Sequence, residues 1–135
     1  FSGLTLGHRR GHFVRAILES IAFVLRSNLE LLEELGTEIA EVRALGGGAR
    51  SDLWLRIKAD VCQRDLLVME CEEATCLGTA MLACVGSGIH KDLAEARDKM
   101  VRVRKRVVHN PAMAAPYDAA YQRYQELYRN VKGLF

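Results

Sequence analysis

Residues 44–54 form the central stretch of the chain and read ALGGGARSDLW. An apolar, β-branched run precedes this stretch, and a helical pattern follows it. Three consecutive glycines let a backbone approach a ligand closely, and Ser51 or Asp52 can cap the next helix. Exposed N–H groups and the helix dipole favour a negative or polar partner at such a turn. We therefore predict that residues 46–51, called the glycine loop below, hold a nucleotide.

The composition is that of one globular domain. The chain has 135 residues, a length that is sufficient for one domain with a hydrophobic core. Its share of hydrophobic residues is 50% and its share of charged residues is 27%, as in ordinary globular proteins. The net charge of +2 is too small to indicate nucleic acid or an anionic membrane by itself. No run is apolar for long enough to span a bilayer. The chain begins with Phe1 rather than Met, so we expect it to be a piece of a longer polypeptide.

The cysteines predict a reducing compartment. Their spacing is irregular and contains no CxxC pair, so buried, unpaired thiols in a cytoplasmic protein are expected. The four are Cys62, Cys71, Cys76 and Cys84.

Hydrophobic periodicity and breakers predict an α/β order of elements. The predicted helices cover residues 12–35, 51–64, 74–85, 91–101 and 116–132, and the predicted strands cover residues 39–45 and 66–70. A strand–helix–strand unit implies a right-handed parallel crossover. Two strands make a poor sheet alone, so further strands are expected upstream.

Small residues dominate the predicted helix at 74–85, among them Gly78, Ala80 and Ala83. Glycine inside a helix costs about 1 kcal/mol relative to alanine, and close backbone packing is its usual compensation. We therefore expect this helix to lie tightly on a sheet or against the glycine loop.

Valine and basic residues alternate at 101–108, which fits either an edge strand or a stripe that contacts phosphates.

The last helix carries a tyrosine every three or four residues, which predicts a docking face with hydroxyls at its rim; an aromatic base-stacking surface is the alternative. The four are Tyr117, Tyr121, Tyr124 and Tyr128.

Three polar features have a structural and a functional interpretation. His8 and His12 have the spacing of a metal pair, but Gly11 lies between them and no good third ligand is near. Arg15 is favoured as an ion-pair partner of Glu19 four residues on rather than as a ligand contact. Asp60 is favoured as a cap for a neighbouring backbone group rather than as a ligand contact.

Three blocks of residues together resemble the FGGY family of carbohydrate kinases, within the actin-like, ribonuclease H-like ATPase superfamily. The first joins Phe1, Gly3 and Leu4 to HFVRAILE at 12–19; the second is GGGARSDLW at 46–54 with Ala59-Asp60, similar to the family's adenosine motif. The third, EATCLGTAMLA at 73–83, resembles the small-residue helix that follows. The tyrosine-rich last helix most resembles the xylulose kinase branch. Ser20, Cys76 and Thr79 depart modestly from the family pattern.

The resemblance implies that residues 1–135 are the C-terminal, nucleotide-binding portion of a sugar kinase. The implied fold is a partial ribonuclease H-like domain with a few parallel strands and flanking helices. The implied cofactors are ATP and Mg²⁺, and the implied reaction transfers the γ-phosphoryl group to a sugar hydroxyl, with D-xylulose as the first candidate. The partners are then ATP and a small sugar, without nucleic acid or membrane, and we expect that a homodimer can form.

Site residues follow from the same resemblance. Gly46 and Gly47 are expected near the adenosine and α-phosphate, Gly48 is expected to shape the turn, and Ser51 is expected to contact adenine. The family's catalytic Asp, phosphate loop and most sugar contacts belong upstream. No catalytic or metal-ligating residue is therefore assigned in this chain, and the chain alone is expected to have no kinase activity.

Two other functions remain open at this point. A non-catalytic module could keep the fold to sense nucleotide or to hold a protein partner. A nucleic-acid binder built on Arg102 to Arg106 would show strongly salt-dependent affinity.

Overall fold

The computed structural model describes residues 1–134. It contains five α-helices and three β-strands within those residues: α1 (Arg10–Glu34), β1 (Val42–Ala44), α2 (Asp52–Cys62), β2 (Leu66–Met69), α3 (Ala74–Gly86), α4 (Leu93–Met100), β3 (Val103–Val107) and α5 (Ala114–Val131). Short 3₁₀ turns lie at Gly47–Ala49, Pro111–Met113 and Lys132–Leu134. The chain divides into two compact units, which are described separately.

The first unit comprises Phe1–Ile39, Ile57–Arg64 and the residues from His109 to the end of the described chain. Its core gathers α1, α5 and the later turns of α2 around six buried side chains: Ala22, Phe23, Ile57, Val61, Tyr117 and Tyr121. Phe23 meets Tyr117 edge-on with ring centroids 6.5 Å apart, a favourable aromatic geometry. Burial of these aromatic and branched side chains supplies the main driving force for this unit.

Arg26 links the three helical segments of the first unit. Its guanidinium group pairs with Glu30 at 2.8 Å and with Asp118 at 2.7 Å, and it donates to the carbonyl of Val61 at 3.3 Å. It also lies 4.4 Å from the centroid of the Tyr121 ring. Because its side chain is only 18% exposed, these contacts are partly shielded from water.

The tyrosine face on α5 is confirmed for three of its four members. Tyr117 and Tyr121 are buried and Tyr124 is half-buried, while Tyr128 is exposed. The hydroxyls lie at the rim as predicted: Tyr117 receives a hydrogen bond from Arg15 at 2.8 Å, and Tyr121 donates to Glu30 at 2.7 Å. α5 begins at Ala114, earlier than predicted, because Pro116 falls in the first turn, where proline is tolerated.

The second unit comprises Ala40–Arg56 and Asp65–Val108. Its sheet has the order β1-β2-β3. β1 pairs with β2 in parallel, with Val42 opposite Leu66 and Ala44 opposite Val68, so the predicted parallel crossover is confirmed. β3 pairs antiparallel with β2, which makes the sheet mixed and confirms that the basic stretch is an edge strand.

The small-residue helix α3 does not pack as predicted. It contains no buried residue, and a Cβ atom added to Gly78 would meet nothing within 4 Å. The expectation of tight packing was therefore wrong within the described residues. The reason is that small side chains permit close approach but supply little area to bury. Within the described residues, α3 packs mainly against α4 rather than on the sheet.

The cysteines are unpaired, as predicted, but they differ in burial. Cys62 is buried, Cys71 and Cys84 are half-buried, and Cys76 is exposed. Burial raises the pKa of the Cys62 thiol to about 11. Prediction of burial for all four was therefore correct only for Cys62.

Within residues 1–134, no helix combines the length and the apolar character needed to cross a membrane.

Candidate nucleotide-binding site

The glycine loop begins directly after β1, and its shape depends on Gly46. This residue has φ +72° and ψ −166°, a region that is essentially restricted to glycine. The chain then closes a 3₁₀ turn in which Ala49 N–H donates to the Gly46 carbonyl at 3.0 Å and Arg50 N–H donates to the Gly47 carbonyl at 3.3 Å. Gly48 lies inside this turn. The residue of the loop whose conformation requires glycine is therefore Gly46.

One side of the loop is open, and the other is anchored. A Cβ atom added to Gly46 or Gly47 would meet nothing within 4 Å, whereas Ala49 is only 3% exposed. The backbone is thus fixed by a buried residue while the neighbouring glycines face open space. A ligand can approach the main chain at Gly46 and Gly47, as a nucleotide-binding turn requires.

Ser51 lies at the start of α2. Its Oγ accepts a hydrogen bond from Trp54 N–H at 3.3 Å, which confirms the predicted helix cap. Accepting that bond leaves the hydroxyl able to donate, so Ser51 can still contact an acceptor on a ligand.

Three charged side chains attach the loop, and Asp52 directly after it, to the rest of the second unit. Arg50 pairs with Glu72 at 2.6 Å, Arg104 donates to the Ala49 carbonyl at 3.4 Å, and Lys105 pairs with Asp52. The hydrogen bond from Lys105 lowers the pKa of the Asp52 carboxyl below its ordinary value. Sequence reasoning missed the contacts from β3. The sequence contains the run of basic residues, but it does not reveal the pairing register of β3 with β2 that brings their side chains to the loop.

An apolar pocket of about 210 Å³ adjoins the loop through Leu45, the residue that precedes Gly46. The wall of the pocket contains Met69, the last residue of β2, and Cys71, which follows that strand. Helix α3 contributes Leu77 and Met81. Because β1 and β2 run in parallel, their carboxyl ends meet at this edge of the sheet. The second unit therefore offers a shallow apolar surface next to the polar backbone of the loop.

The remaining candidates have structural partners. Arg15 pairs with Glu19 at 2.8 Å, as predicted. Asp60 accepts a hydrogen bond from Asn110 N–H at 2.7 Å, which confirms its role as a backbone cap.

The two N-terminal histidines bind the local backbone. His8 Nδ1 accepts from Thr5 N–H at 3.0 Å, and His12 Nδ1 accepts from Arg9 N–H at 2.9 Å, next to the start of α1. Across the part of the chain that the structure describes, no group of three or more His, Cys, Asp or Glu side chains could hold a metal ion.

Comparison with known proteins identifies the family to which the chain is similar. Residues 1–87 match the model of the C-terminal domain of the FGGY family of carbohydrate kinases. The chain is 33% identical to the xylulose kinase of Bacillus subtilis over 98% of its own length and 26% of that protein.

Two solved structures are similar in fold. The xylulose kinase of Rhodospirillum rubrum aligns with a TM-score of 0.87 and 32% identity, over 99% of this chain and 27% of that one. The glycerol kinase of Plasmodium falciparum with ADP aligns with a TM-score of 0.76 and 26% identity, over 92% of this chain and 25% of that one. The chain thus spans about a quarter of the length of these relatives.

The neighbours also define the fold class. FGGY kinases have an actin-like ATPase fold, and the small mixed sheet with helices agrees with the predicted α/β class. Since the family model matches well over half of the residues, the chain belongs to the FGGY family of carbohydrate kinases.

Proposed function

We propose that this chain is the C-terminal, nucleotide-binding portion of an ATP-dependent carbohydrate kinase, and that the glycine loop holds the adenosine end of ATP. One observation carries the proposal. The backbone at Gly46 and Gly47 is open on one side, directly before the N-terminus of α2, in a chain that belongs to this kinase family. Exposed N–H groups and a helix N-terminus together favour a polar or anionic partner.

Each predicted residue has a role in this proposal. Gly46 and Gly47 approach the adenosine and α-phosphate, and any side chain there would occupy the space of the ligand. Ser51 uses its hydroxyl for a polar contact to adenine, while its oxygen caps α2. Gly48 lies inside the turn and keeps it compact. Arg50 is engaged by Glu72, so we assign it no ligand contact.

The metal and the catalytic groups are assigned elsewhere. Mg²⁺ accompanies ATP and, when bound, neutralises charge on the transferring phosphates. We assign no residue of this chain to Mg²⁺. We place the catalytic Asp, the phosphate-binding loop and most sugar contacts in an N-terminal domain outside residues 1–135. Because phosphoryl transfer depends on positioning by both sides of a cleft, this chain alone should not phosphorylate sugars.

D-xylulose is the proposed sugar. Two of the relatives described above are xylulose kinases, and both align with nearly the whole chain. The similar glycerol kinase shows that this part of the fold also occurs with a different acceptor. Residues outside this chain therefore decide the sugar, and a small polyol or another pentulose is the alternative outcome of the test. Four unpaired cysteines agree with a cytoplasmic location, which we also propose.

The basic strand gives no support to nucleic-acid binding. Lys105 pairs with Asp52, Arg106 pairs with Asp65 at 2.7 Å, and Arg104 donates to a backbone carbonyl. These cations are already engaged inside the second unit. A titration with duplex DNA should give no binding with the steep salt dependence that counterion release produces.

The test of the proposed function is ADP release by the intact enzyme with a panel of sugars. We expect ATP-dependent turnover with D-xylulose and none with the 135-residue chain alone. No turnover with any sugar, together with retained ADP binding, would favour a nucleotide-sensing module instead. Sugar phosphorylation by the isolated chain would overturn the assignment of the catalytic residues to another domain.

A further inference from the structure

Strand β3 contains a bulge at Arg104. Lys105 lies opposite Val68, but the next pair joins Val103 to Met69, so Arg104 has no partner of its own on β2. An extra residue of this kind bends a strand and re-aims its side chains, and bulges are common next to functional sites. The bulge therefore changes the direction of the side chains on either side of it.

The bulge lets two consecutive side chains reach the same short segment. In a regular strand, neighbouring side chains point to opposite faces. Here Arg104 donates to the Ala49 carbonyl at 3.4 Å and Lys105 pairs with Asp52, at the two ends of residues 49–52. The segment between these contacts contains Arg50 and Ser51, the last residues of the glycine loop.

Ala49 is the point where this restraint acts most directly. Its side chain is buried and its N–H group closes the turn onto Gly46, so its carbonyl has a defined direction. Hydrogen bonds from a charged donor are about twice as strong as neutral ones. The Arg104 contact, although long, therefore restrains the peptide unit that connects the turn to Arg50.

We propose that Arg104 and Lys105 are positioning residues that hold the glycine loop in the conformation that ATP meets, an inference that rests on the proposed function of that loop. Neither side chain contacts the nucleotide. Their effect passes through the main chain at Ala49 and through Asp52 in the first turn of α2. A ligand bound by backbone groups is sensitive to displacements of about 1 Å, so loosening the loop weakens nucleotide binding before it affects the fold.

The variant Arg104→Gln in the intact enzyme tests this proposal. We expect KM for ATP to rise on the order of five- to tenfold, the size of one ordinary lost hydrogen bond, because the Arg104 contact is long. We expect kcat to change less than KM for ATP, and KM for the sugar and the melting temperature to stay close to wild type. Arg104→Lys keeps a charged donor and should recover part of the loss.

Arg106→Gln is the matched control, because Arg106 lies on the same strand and pairs with Asp65 instead of the loop. It should leave KM for ATP unchanged. Equal effects of Arg104→Gln and Arg106→Gln, or a loss of melting temperature without a change in KM for ATP, would overturn the positioning role.

A third variant separates this inference from the proposed function. Gly47→Val places a side chain in the proposed ligand space without touching β3. If Gly47→Val raises KM for ATP while Arg104→Gln does not, the site is right and the positioning role is wrong. If Gly47→Val leaves KM for ATP unchanged, the proposed site itself fails.

Discussion

Replacing Gly46 with alanine should destabilise the fold through the backbone alone. At φ +72° and ψ −166° the residue lies in a region that is essentially closed to residues with a Cβ atom. No steric contact adds to this, because the new Cβ would meet nothing within 4 Å. Strain of this kind costs about 1–3 kcal/mol. With an m-value of roughly 2 kcal/mol per molar urea, the unfolding midpoint should fall by about 1 M.

Gly47→Ala is the control, one residue along the same loop. Gly47 opens the 3₁₀ turn without a positive φ, and its added Cβ also meets open space. Its unfolding midpoint should therefore stay level or rise slightly, because alanine restricts the unfolded chain by about 0.4–1 kcal/mol. Urea unfolding followed by circular dichroism measures both variants. Equal midpoints for Gly46→Ala and Gly47→Ala would refute the assignment of the turn to Gly46.

Four further predictions concern the rest of the molecule. Arg26→Gln removes the partner of Glu30 and Asp118 and should lower the free energy of unfolding by about 2–3 kcal/mol. The side chain of Arg15 is 48% exposed, so Arg15→Gln should lower it by less than about 1 kcal/mol. Equal losses for the two variants in urea unfolding would contradict this prediction. Cys76 should react first with a thiol reagent and Cys62 only after unfolding, so peptide mapping that finds native Cys62 labelled as fast as Cys76 would refute the assigned burial. Burial raises the pKa of Cys62 to about 11 from 9.0, so the thiol ionises in the unfolded chain first as pH rises. The free energy of unfolding should therefore fall by up to about 2–3 kcal/mol between those pH values. Cys62→Ala should remove this pH dependence, and identical pH profiles for the two proteins would refute the prediction. One side of α1 carries four apolar side chains that are each nearly half exposed: Val14, Ile17, Ile21 and Val24. Exposed apolar patches favour association, so light scattering should show that the chain self-associates and that Ile21→Glu reduces the association. A monomeric mass for both proteins would contradict this prediction.

The elements that were predicted best have strong local signals. The long apolar periodicity of α1 and the short apolar run at β2 appear in the structure within two residues of their predicted bounds. The cap at Ser51 and the backbone partner of Asp60 were also identified correctly, because side chains that bond to nearby backbone carry clear sequence signals.

The errors share a different cause. β1 is only Val42–Ala44, shorter than the apolar run suggested, because strand length depends on pairing with β2 rather than on composition. The packing of α3 and the reach of Arg104 likewise depend on tertiary register. A one-residue bulge in β3 decides which basic side chain meets Ala49, and no local pattern encodes that shift.

The central claim is that the glycine loop binds the adenosine end of the nucleotide. Amide chemical-shift mapping of the isotope-labelled chain during titration with millimolar ADP tests it most directly. We predict the largest shifts at the amides of Gly46, Gly47 and Ser51, with the same amides responding to adenosine. Shifts confined to Leu77 and Met81 in the apolar pocket, or no shift at the loop at any ADP concentration, would contradict the claim.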